Sequence, residues 1–112
     1  MAFLPQRTFL DETIVLNYNL TNGLTSFTTS DISKYLTMSL QFTYTNIIGD
    51  NEFILEQSND SINWGNLSEI YTLPLGSGNF IIDKNTFSGK HIRINLLNVD
   101  SGTLTIKLLA KR

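Results

Sequence analysis

Few residues in this 112-residue chain could carry chemistry, and their spacing argues against catalysis. His91 is the only histidine and cysteine is absent. A Ser-His-Asp relay needs a base within hydrogen-bond reach of a nucleophile. Neither a nucleophile elbow nor a glycine-rich oxyanion loop accompanies His91, which alternation places on the outward face of its strand beside Arg93. It reads as a solvated surface histidine, and one histidine makes a histidine-based metal site improbable. Glu52 and Glu56 point to one side of a single strand. Four residues at about 3.3 Å each set them roughly 13 Å apart, beyond the roughly 5 to 9.5 Å that glycoside hydrolysis uses. Asp50, Asp60, Asp83 and Asp100 fall at expected turns, where Asp bonds its own backbone, and the spaced ladder of a calcium loop is missing. The expectation is no enzyme: no catalytic residue, no cofactor and no metal.

Binding chemistry is the remaining class. Trp64 and Tyr71 could form a sugar-stacking platform. Most large aromatic residues in a domain of this size belong to its core, so Trp64 is expected to plug one end of the domain, with ligand stacking by Trp64 and Tyr71 as the alternative. The formal charge of −2 and pI near 5.1 supply no electrostatic footprint for a phosphate backbone, so direct nucleic-acid binding is not expected. No apolar run approaches the roughly 18 residues that span a bilayer, and the N-terminus lacks the pattern of a signal peptide. A membrane partner is not expected either.

These residues must be positioned by strands. Leu36, Met38, Leu40, Phe42 and Tyr44 alternate with Thr37, Ser39, Gln41 and Thr43, which is the period of a half-buried strand. Thr13–Leu20 repeats the pattern with Ile14, Leu16, Tyr18 and Leu20 inward. Ile92, Ile94 and Leu96 do so again, as do Leu104, Ile106, Leu108 and Ala110. Shorter candidates are 52–58, 67–73 and 79–83, the last placed after a break at Gly76-Ser-Gly78. The segment 59–65 is a turn-rich loop, and 98–102 reads as a hairpin-type connection. Thr, Ser and Asn supply 35 of 112 residues while charged residues supply 16%, against a usual charged share of about 25%. Uncharged polar groups must therefore solvate the surface. The expected fold is all-β, an antiparallel, jelly-roll-like β-sandwich of seven or eight short strands occupying residues 13–112 as one domain.

Residues 1–12 lack a clean period. They form either an irregular first strand or an arm whose Phe3, Leu4, Pro5, Phe9 and Leu10 contact another subunit.

From Asp31 onward the order of elements resembles a known family. Asp31-Ile-Ser-Lys-Tyr35 is followed by the alternating strand and by Leu55-Glu-Gln-Ser-Asn-Asp-Ser-Ile-Asn-Trp64. Then come Gly89-Lys-His-Ile-Arg-Ile94 and Ser101-Gly-Thr-Leu-Thr-Ile106. This is similar to small β-sandwich virion proteins of tailed bacteriophages, with Ser61 where glycine is usual and His91 where an aromatic is common. The resemblance implies an auxiliary (decoration) capsid protein, or a head-fibre or tail component. It would be made in the host cytoplasm and carried in many copies on the virion, at the head surface. Its partners would be the major capsid protein or other virion subunits. The same turn occurs in discoidin-like carbohydrate-binding sandwiches, which keeps a carbohydrate-binding module as the alternative.

Overall fold

Met38, Leu40, Phe42 and Tyr44 can share one buried face only if the chain is extended there, and all four are buried. The computed structural model describes residues 9–112 except 24 and 86. Its strands are β1 (Phe9–Asn19), β2 (Ser26–Thr28), β3 (Thr37–Ile48), β4 (Glu52–Ser58), β5 (Gly65–Thr72), β6 (Gly76–Lys84), β7 (His91–Asn98) and β8 (Ser101–Lys111), with a short 3-10 turn at Leu20–Asn22. One sheet has the order β1-β8-β3-β6 and the other β2-β7-β4-β5. All pairings are antiparallel: β1 with β8, β2 with β7, β3 with β6, β4 with β5, plus β3 with β8 and β4 with β7. The first four pairings describe one long ribbon rolled upon itself, which is the jelly-roll form of the sandwich.

The two inner faces close on each other through an aromatic column. Phe80 stacks on Phe42 within the first sheet, with ring centroids 4.9 Å apart. Phe42 meets Phe53 of the second sheet at 4.8 Å, and Phe53 stacks on Tyr71 at 5.2 Å. Leu40, Leu55, Ile92, Ile94, Leu104, Ile106 and Leu108 fill the space around this column and are almost fully buried.

Strict alternation fails at identifiable bulges. Leu16, expected inside, is exposed. Strand β1 carries two register shifts, and from Val15–Ile106 to Tyr18–Leu104 it spends one residue more than its partner. Asn17 absorbs that extra residue at φ 49°, its N–H donating to Thr105 Oγ1 at 2.8 Å. Each inserted residue turns the following side chains over. Leu36, also expected inside, is exposed because β3 begins one residue later. Gly76-Ser77-Gly78 is not a break but the start of β6, where Gly78 faces Tyr44. A Cβ on Gly78 would lie 2.8 Å from the Tyr44 hydroxyl, so any larger residue there would have to push that ring aside. Residues 98–102 are not a hairpin either, since they carry the chain from the second sheet to the first. Among consecutive strands only β4 and β5 pair directly.

Of residues 1–12, the part from Phe9 is strand, paired through Phe9–Lys111 and Leu10–Ala110. Leu10 packs against the core cluster, whereas Phe9 is exposed. Phe3, Leu4 and Pro5 lie outside the described residues.

Candidate binding surfaces

The alternation of strands puts the β2–β3, β4–β5 and β6–β7 connections at one end of the sandwich. The β4–β5 loop there is built by Asp60. Its carboxylate accepts from the N–H groups of Ile62 (2.9 Å) and Asn63 (2.8 Å), from Asn63 Nδ2 (2.9 Å) and from the Ser58 hydroxyl (2.9 Å). These donors, led by the Asn63 and Ile62 N–H groups, hold its pKa far below the ordinary carboxylate range. Ser58 Oγ accepts in turn from the N–H groups of Asp60 and Ser61. Ser61 takes the left-handed conformation (φ 60°) that glycine would adopt without strain.

This turn is joined to the start of β7. Gln57 Oε1 accepts from the N–H groups of Ser88 (3.1 Å) and Gly89 (3.0 Å), and Asn59 Oδ1 from that of Lys90 (3.2 Å). Gly89 is required at the joint, since a Cβ there would stand 2.7 Å from Gln57 Cβ and 2.9 Å from Ser58 N. Segments 31 and 32 positions apart therefore form one unit. His91 faces outward in this unit, with Nδ1 3.3 Å from the Thr29 carbonyl oxygen, an acceptor that only an Nδ1–H can satisfy. It is half-buried rather than fully solvated.

The loop returns Trp64 to the outer face of the β2-β7-β4-β5 sheet. The Arg93 guanidinium lies 4.3 Å from the centroid of the Trp64 ring, a cation–π distance. Arg93 also pairs with Glu56, its register neighbour, through Nε at 2.9 Å and a terminal nitrogen at 2.8 Å, both to Oε1. Trp64 is thus no plug, because it stands half-exposed outside the core cluster. Tyr71 stacks on Phe53 on the inner face of the same sheet. The expected pair of stacking residues is separated by the sheet, which leaves Trp64 on the outer face with Arg93 and Glu56 beside it. Register partners Ser26, Asn95, Ile54 and Ile70 extend this face as the next row.

Compared with known proteins, the chain matches no family model and no curated protein.

Two other surfaces are formed. Between the edge strands β5 and β6 runs an open cleft of about 760 Å³, lined by residues that include Gln57, Leu67, Lys84 and Phe87. The outer face of the β1-β8-β3-β6 sheet presents register rows of mostly uncharged side chains: Thr45–Thr103, Thr43–Thr105, Gln41–Lys107 and Ser39–Leu109. Among the described residues no three His, Asp or Glu side chains are placed to hold a metal ion. Glu52 bonds Asn98 and Glu56 bonds Arg93, so each carboxylate has its own partner.

Proposed function

We propose that this chain is a structural subunit of a tailed-phage virion, an auxiliary capsid protein that binds and stabilises the head shell. The observation that carries the reading is the joint between the Ser58-Asn59-Asp60…Trp64 turn and the Gly89-Lys90-His91 start of β7. The two stretches most similar to the phage sandwiches are a single hydrogen-bonded unit in this chain. The outer face of the β1-β8-β3-β6 sheet supports the same reading, with Thr45, Thr43, Gln41 and Ser39 along β3 and the charges of Asp11, Asp83, Lys107 and Lys111 set among them. Such a face can pack beside identical copies with its acidic and basic groups paired across the contact.

Gradient-purified particles of the phage that encodes the chain test the proposal. Quantitative mass spectrometry should find it in a fixed ratio to the shell subunit, and particles lacking it should release DNA at a lower temperature. Absence from the particles overturns the reading.

A second reading, saccharide binding, is favoured by the half-exposed Trp64 on Arg93. Titration with oligosaccharides should then change Trp64 fluorescence in the parent protein, and binding should vanish in Trp64→Ala.

A further inference from the structure

The end opposite Trp64 carries the β1–β2, β3–β4, β5–β6 and β7–β8 connections. Asn51 locks three of them together while almost fully buried. Its Nδ2 donates to the Ile48 carbonyl (3.1 Å), its Oδ1 accepts from Asp100 N–H (2.7 Å) and its carbonyl accepts from Leu73 N–H (2.8 Å). Gly49, at φ +78°, leaves the space that the Asp100 carboxylate occupies. Loops held this firmly lose little freedom on binding a partner.

What this end displays, on its loops and the strand ends that enter them, is aliphatic. Ile48 is 65% exposed, Leu75 71%, Leu97 44% and Val99 37%. Surface connections are ordinarily polar, and apolar residues gathered at one place and rimmed by polar ones mark interaction sites. The rim is acidic, with Asp50, Glu52 and Asp100, and the described residues of this end include no Lys, Arg or His. An anionic membrane surface would repel that rim.

We infer that the end clamped by Asn51 is a protein-docking surface, whose partner presents an apolar depression ringed by Lys and Arg. The inference rests on the chain's acting by assembly, and under the reading above that partner is the shell subunit. Ile48, Leu75 and Val99 supply the apolar contact, while Asp50 and Asp100 orient the encounter and exclude acidic neighbours.

The test is a photo-crosslinking residue placed singly at Leu75 or Val99, and as controls at Leu16 or Ile81, which are exposed elsewhere. The full chain is expressed in virion-producing cells, and crosslinks are mapped there and in purified particles. Leu75 and Val99 should crosslink about tenfold more than the controls, at a Lys/Arg-bearing segment of one partner. Asp50→Lys, with melting unchanged, should lower that yield about tenfold. Crosslinks favouring Leu16 or Ile81, or mapping to lipid or to an acidic segment, overturn the inference. Absence from particles with strong crosslinks in cells from Leu75 and Val99 removes only the virion reading. Presence in particles with crosslinks from the controls removes only the docking surface.

Discussion

Each end of this sandwich is organised by one short polar side chain, and the two do opposite work. Asp60 is exposed and bonds only to residues within three positions of itself. Asn51 is buried, and one of its side-chain bonds reaches 49 positions along the chain to Asp100. A local carboxylate shapes one loop, whereas a buried carboxamide joins connections that would otherwise move separately. Loss of the first should open a loop, and loss of the second should loosen an end. Rigidity therefore belongs to the aliphatic, acidic end, while the end bearing Trp64 depends on a charge.

The largest effect expected is in the core that both ends share. Leu40→Ala should cost about 2–5 kcal/mol, a large part of the roughly 5–15 kcal/mol typical of a domain. Probes at both ends should melt together. Separate transitions would show that the ends are independent units and that the comparison concerns two bodies instead of one.

Asn51→Ala should come next, at about 1–3 kcal/mol by chemical denaturation, because it removes a buried carboxamide and leaves the part-buried Ile48 carbonyl and Asp100 N–H without their partner. A loss below about 0.5 kcal/mol would mean that water or the neighbouring loops replace the carboxamide. Hydrogen exchange should quicken at Asp100 and Leu73 in this variant and not at Ile62 or Asn63.

Asp60→Ala should lower stability less than Asn51→Ala and quicken exchange only at Ile62 and Asn63. The same contrast is expected on acidification. The bonds to Asp60 favour its charged form, so its native pKa lies below the ordinary value of about 3.9. Its contribution is complete above that value and is lost as the pH falls from there towards the depressed native pKa. Trp64 fluorescence should therefore hold steady through the ordinary carboxylate range at about pH 4 and change only well below it in the parent protein. Asp60→Asn should remove that step, since the carboxamide has no proton to gain. A step that persists in Asp60→Asn would place the titrating group elsewhere.

What could be read from residues alone follows the same division between local and distant. The strand Thr37–Tyr44 and the turn at Asp60 are written in neighbouring positions, so period and turn chemistry reveal them. The exposure of Leu16 is not, because it depends on bulges against β8 and on Asn17 bonding Thr105, 88 positions away. Trp64 misleads for a related reason. Its size suggests core, yet its place is set by Arg93, a cross-strand neighbour available only once β4 and β7 are paired. Asn51 carries no signal in a chain with twelve asparagines. Only the arrival of Leu73 and Asp100 beside it distinguishes this one from the rest.

The most direct test of the account is a reconstruction of the purified particle at a resolution that shows strands. The account predicts eight-stranded sandwiches on the head shell, with the Ile48, Leu75 and Val99 end against the shell and the Trp64 end turned outward. A shell without these sandwiches would contradict the virion assignment, and copies attached through the Trp64 end would contradict the docking surface.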